Sequence, residues 1–163
     1  MTYRIVLFIA FITTALALGG GLAHLYAIAN KLDLPVDEYF AAQRAYDGWD
    51  MLGVVLSVEL TAMIAAAVLS RSDRRVFRLT LLAIALVLAA QVIFWAFTFP
   101  ANRATANWTE VPENWEALRR QWEYSHLAGA LCHLAAFAAL VAAMLVRLTP
   151  PVRCYALPPP STG

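Results

Sequence analysis

The chain has 163 residues, 61% of them hydrophobic and only 14% charged, against roughly 25% charged in an ordinary soluble domain, so a water-facing surface is excluded. A net charge of +1 gives no general attraction to nucleic acid. Cys132 and Cys154 are too few for a disulfide framework, and the sequence has no CxxC or Cys/His zinc spacing.

The first apolar run, about residues 5–28, contains no charged residue. Arg4, the apolar stretch and Ala15-Leu16-Ala17 also fit a signal peptide cleaved near residue 17. The run is longer than a signal core, however, and carries His24 and Tyr26 toward its far end, which fits a retained span. Gly19-Gly20-Gly21 makes one wall small, so another helix can approach closely. After it, Leu34-Pro35-Val36-Asp37-Glu38 reads as a helix start, and Tyr39, Phe40, Gln43 and Tyr46 are expected to form an interfacial helix.

A second span is expected at about 49–69 with Glu59 inside it, and a third at about 79–99 with Gln91 inside it. The loop between them holds Arg71, Arg74, Arg75 and Arg78. Beyond Pro100, Asn107-Trp108-Thr109 fits a glycosylation sequon, a pattern that chance also supplies. Trp115, Leu118 and Trp122 share one helical face, with Pro112, Glu113 and Glu116 suited to the first turn. The fourth span, about 124–146, contains His126 and His133 and is read as the inner part of one long helix projecting from the membrane. The proline-rich end, 151–163, is read as a disordered tail.

Each run is long enough to cross a bilayer, and only helices satisfy their own backbone there outside a closed barrel. The fold expected over 1–150 is therefore an all-α integral membrane four-helix bundle with a juxtamembrane extension of the fourth helix. Arg4, the four loop arginines, Arg147 and Arg153 lie on one side; every acid except Glu59 and Asp73 lies on the other or at its edge. The positive-inside rule then puts both termini in the cytoplasm of a multi-pass cell-membrane protein.

Polar groups inside a span tend to face the bundle interior. Counted inward from Trp49, Phe99 and Tyr124, the residues Glu59, Gln91 and His133 lie roughly 15, 12 and 13 Å deep at 1.5 Å per residue. They are expected to form one buried network, with His24, His126 and Asp50 at a shallower level. His126 and His133 are seven residues apart, about 10.5 Å along the axis, too far to share one metal ion. No metal is assigned, and no cofactor follows from the sequence. The outer aromatics, Trp95 and Trp122 among them, fit either an interfacial belt or the lining for a flat apolar ligand.

The stretch Phe94-Trp95-Ala96-Phe97-Thr98-Phe99-Pro100-Ala101-Asn102, with Trp115-Glu116-Ala117-Leu118-Arg119 and Trp122-Glu123-Tyr124-Ser125-His126, resembles the anthrone oxygenase-like family of small four-span membrane proteins. Pro100, Asn102, Trp122 and His126 match its Pro-x-Asn and Trp-x-x-x-His marks; Gly129 stands where many members carry arginine. The resemblance in detail runs from about Phe94 to Phe137. It implies an oxygenase or oxidoreductase acting on a flat hydrophobic, anthrone-like compound by proton abstraction. His126 would be the base, Glu59 and His133 would set its proton balance, and Asn102, Trp122, Trp95, His24 and Gln91 would surround the substrate. The alternative is a non-catalytic binding, transport or accessory protein whose polar network is structural. Partners beyond the lipid bilayer and a hydrophobic small molecule, and the oligomeric state, do not follow from the sequence.

Overall fold

A computed structural model describes residues 1–148; the tail at 151–163 and Cys154 lie outside the described residues. The described chain is helical: α1 (Thr2–Leu32), α2 (Val36–Gln43), α3 (Leu52–Leu69), α4 (Arg74–Ile93), α5 (Phe99–Ala104) and α6 (Trp115–Leu148), with single 3₁₀ turns at Arg44–Tyr46 and Trp49–Met51. Four stretches are long and apolar enough to cross a membrane: Thr2–Leu32, Trp49–Leu69, Arg74–Ala104 and Trp115–Leu148. The chain is built as a multi-pass membrane protein. Three of these stretches overrun the expected spans because nothing stops the helices at the edge of the apolar run. The 34 residues of α6 reach roughly 51 Å, well past a hydrocarbon core of about 30 Å.

The helices close into a ring in which α1 packs on α3 and α6, and α4 packs on α6 and α3. At one end of the bundle the core consists mostly of small residues: Ala10, Ala62, Met63, Ala83, Val87, Ala136, Ala139 and Leu140. Large apolar side chains such as Phe8, Val54 and Val92 point outward, as a lipid-facing surface requires. Most hydroxyls within the spans bond to their own helix: Thr14 donates to Ala10 O at 2.7 Å, Thr61 to Ser57 O at 2.8 Å and Thr80 to Val76 O at 2.9 Å. Without such a partner a polar group costs several kcal/mol in lipid.

Two local features have identifiable causes. Asp73 caps α4, its Oδ1 accepting from the N–H groups of Arg75 and Val76 at 3.1 and 3.3 Å, which fixes the arginine turn against the helix start. Between α4 and α5 the third span widens into a π turn, Phe94–Thr98. Pro100 has no N–H to continue the α ladder and its ring crowds the preceding turn, and one inserted residue relieves both. The widened turn is tied to α6 by Gln121 Nε2 donating to Phe97 O at 2.8 Å and by a Thr98–Ser125 hydroxyl contact of 2.6 Å.

Two expectations about the loops are corrected. Tyr39, Phe40 and Gln43 are buried, so α2 turns this face onto the bundle end, and Tyr46 lies outside the helix in the 3₁₀ turn that follows. Pro112 precedes the first turn of α6, whose N–H groups at Ala117 and Leu118 bond Asn114 O.

Candidate functional site

The site begins at a close helix crossing. A Cβ on Gly21 would lie 3.0 Å from Ala130 Cβ and 3.1 Å from Ala130 Cα, so only glycine lets α1 come this near α6. A Cβ on Gly19 meets nothing, and one on Gly20 meets the movable Leu52 side chain at 3.3 Å. Of the three glycines, Gly21 is the one the packing demands.

One turn outward from that crossing, His24 of α1 faces His126 of α6. Their ring centroids are 4.1 Å apart. Trp122 packs on both, 4.0 Å from His126 and 4.9 Å from His24, and Tyr46 and Trp49 close over His24 at 4.4 and 5.7 Å. His126 Nδ1 lies 3.0 Å from Trp122 O. A carbonyl only accepts, so Nδ1 carries the proton and Nε2 keeps its lone pair. His24 is 5% exposed and its Nδ1 has no hydrogen-bond partner.

Asn102 holds the tryptophans. Its Oδ1 accepts from Trp122 Nε1 at 2.7 Å and Trp108 Nε1 at 3.0 Å, so one side-chain carbonyl fixes two indoles. Trp108 reaches this position through a strained turn: Ala106, Asn107 and Trp108 have φ of 46°, 55° and 64°. Each left-handed non-glycine residue costs on the order of 1–2 kcal/mol. The turn is held by Asn107 N–H to Asn102 O at 2.7 Å, by Trp108 N–H to Thr105 Oγ1 at 3.1 Å and by burial of the Trp108 ring. Trp108 then packs with Tyr39, Phe40, Leu118 and Trp122 in an outer aromatic cluster, which the shared face of Trp115, Leu118 and Trp122 foreshadowed.

Above the histidines lies a buried ionic group that the sequence did not announce. Lys31 Nζ is 2.6 Å from Glu123 Oε1 and sits over the Trp122 and Tyr46 rings at 4.6 and 4.7 Å. Tyr39 donates to Glu123 Oε1 at 3.0 Å and accepts from Gln43 Nε2 at 2.7 Å. Burial, then the Glu123 charge and the hydrogen bond to it, push the Tyr39 hydroxyl far above the ordinary tyrosine value, so it remains a neutral donor. Arg119 donates to Leu34 O at 2.8 Å and stacks over Trp115 at 4.6 Å. Lying beyond the apolar runs, these residues resemble external loop charges, yet their spacing points inward. Lys31 is seven residues from His24, and Glu123 is three from His126, so each shares its histidine's face.

Below the Gly21–Ala130 crossing, Glu59 Oε2 and His133 Nε2 are 3.7 Å apart, bridging α3 and α6 across the ring. Glu59 is fully buried and both its oxygens lack a hydrogen-bond partner. His133 Nδ1 donates to Gly129 O at 3.1 Å, which turns Nε2 toward the carboxyl.

Three placements expected from the sequence need correction. Gln91 is half-buried and makes no side-chain hydrogen bond to Glu59 or His133, so the expected three-member network is a pair. Trp95 is 60% exposed and packs on Phe94 and Phe99; it faces outward and lines no interior site. Asp50 is exposed and does not join the histidines. Among the described residues, no three His, Cys, Asp or Glu side chains converge as metal ligands. A cleft of about 220 Å³ between Gly20, Trp49, Met51 and Leu52 opens laterally beside the Trp49 indole that covers His24. Compared with known proteins, the chain matches no family model, no curated protein and no solved structure.

Proposed function

We infer that the chain is a membrane enzyme that deprotonates and oxidises a flat, apolar, anthrone-like compound, with His126 as the general base. The observation that carries this is the His126 ring. Its Nδ1 proton is committed to the Trp122 carbonyl, which leaves the Nε2 lone pair free among the rings of His24, Trp122 and, beyond them, Trp49. A positioned base of this kind contributes typically 10²–10⁴-fold. The cleft beside Trp49 suits entry from the bilayer, where such a compound partitions.

The chemistry balances with dioxygen as the oxidant. His126 takes one proton from the ring methylene, leaving a delocalised carbanion. Dioxygen adds to that carbon and the peroxide takes the proton back. Loss of the remaining C–H proton with cleavage of the O–O bond releases water and leaves the quinone carbonyl. Asn102 acts by fixing Trp122, and through its carbonyl the His126 tautomer. The resemblance at Pro100, Asn102, Trp122 and His126 supports the same reading, as does an orientation with the arginine turn in the cytoplasm and the histidine cluster on the opposite side of the cell membrane.

A second reading is favoured by one observation. The rings touch at 4.0–4.1 Å, and neither the cleft beside Trp49 nor a wider one on the α4–α6 face is lined by His126 or Glu59. On that reading the polar pairs hold the helices together and nothing is turned over. Purified protein supplied with an anthrone under oxygen-18 gas separates the two. The enzyme reading expects labelled anthraquinone from the wild type and at least a hundredfold less from His126→Ala. Equal product from both, or none from the wild type, favours the structural reading.

A further inference from the structure

A second cleft lies away from the histidines. It measures about 360 Å³ and is lined by Ile93, Phe97, Arg120, Gln121, Tyr124, Ser125 and Ala128. On α6 these positions are rotated by roughly two fifths of a turn from the face carrying Trp122, His126 and His133, so the cleft opens on the lipid side of the α4–α6 seam.

Its composition changes along its length. The outer end carries Arg120, and Tyr124 beside it is 54% exposed, as residues at the headgroup level are. The inner end is walled by Ile93, Phe97 and Ala128. From Arg120 to Ala128 is roughly 12 Å along the axis, the span from a headgroup into the upper acyl region. The floor is built in: the π turn before Pro100 displaces Phe97, and Gln121 and Ser125 clamp that turn by their bonds to Phe97 O and Thr98. Gln121 is thereby occupied, and no carboxylate lines the cleft. Arg120 is exposed, and among the described residues no acid pairs with it, although Glu116 is one turn away. A single unpaired guanidinium above an apolar trough is complementary to a phosphodiester with an acyl chain below it.

We propose that this cleft is a binding site for one anionic phospholipid, its phosphate on Arg120 and an acyl chain along Phe97, Ile93 and Ala128. The test is native mass spectrometry of the full chain in detergent, titrated with phosphatidylglycerol or phosphatidylcholine. One phosphatidylglycerol is expected to be retained, with phosphatidylcholine weaker. Arg120→Gln is expected to weaken retention by about tenfold, the loss of one charge-assisted contact, and Arg120→Lys to keep most of it. Ala128→Phe, which fills the inner end from a half-buried position, is expected to weaken it as well, whereas Arg103→Gln, outside the cleft, leaves it unchanged. Undiminished phosphatidylglycerol retention in Arg120→Gln, or equal retention of the two lipids by the wild type, overturns the proposal.

Discussion

The two ends of the bundle are held together differently. The inner end is a packing of alanines with Met63, Val87 and Leu140, and its hydroxyls bond within their own helices. The outer end is tied by directional contacts between residues far apart in sequence: Lys31 with Glu123, Tyr39 with Glu123, and Asn102 with Trp108 and Trp122. Small-residue packing tolerates any azimuth that closes the seam, whereas directional bonds specify one. Chemistry needs fixed geometry, and the outer end is where this molecule fixes it. The Glu59–His133 pair lies between the two regimes, on the far side of the Gly21–Ala130 contact from His24 and His126.

The contrast between the ends is lost most severely if the outer ionic group is cut. Glu123→Leu leaves buried Lys31 without its carboxylate, and about 3–5 kcal/mol of stability is expected to go, read by thermal unfolding in detergent. The double variant Lys31→Met/Glu123→Leu removes both members of the pair and is expected to recover part of that loss. Next in size is Gly21→Ala, which forces α1 and α6 apart and is expected to cost about 1–3 kcal/mol, while Gly19→Ala, which meets no atom within 4 Å, stays near the wild type in the same melt. Glu59→Gln keeps size and polarity at a site whose oxygens already lack partners, so about 1 kcal/mol or less is expected; a collapse of the fold would move the directional regime down to the inner pair. The smallest effect has the opposite sign. Ala106→Gly relieves one left-handed residue and is expected to stabilise by up to about 1 kcal/mol.

The four spans were legible because runs of this hydropathy have few alternatives. The depth of Glu59 and His133 was legible for a similar reason: helical rise is constant, so counting from the outer boundary put both at one level, and they meet at 3.7 Å. Azimuth was not legible. Each span is apolar nearly all round, so no periodic stripe says which way Gln91 or Trp95 points, and both turned away from the interior. Trp122 and His126 were readable as a pair because i and i+4 share a face. Lys31 and Glu123 were hidden by their position. Lying just beyond the apolar runs, they counted as loop charges, while the helices continue through them. The strained turn at Ala106, Asn107 and Trp108 carries no glycine to announce it.

Everything at the outer end follows from α1 and α6 presenting His24 to His126. With Cys132 and Cys154 replaced by serine, the double variant His24→Cys/His126→Cys is the direct test. Mild oxidation is expected to produce an intramolecular disulfide within the monomer, seen as a shift in gel mobility and the loss of two hydrogens by mass, while Leu16→Cys/His126→Cys forms none. Absence of that disulfide, or its formation only between chains, would contradict this arrangement of the helices.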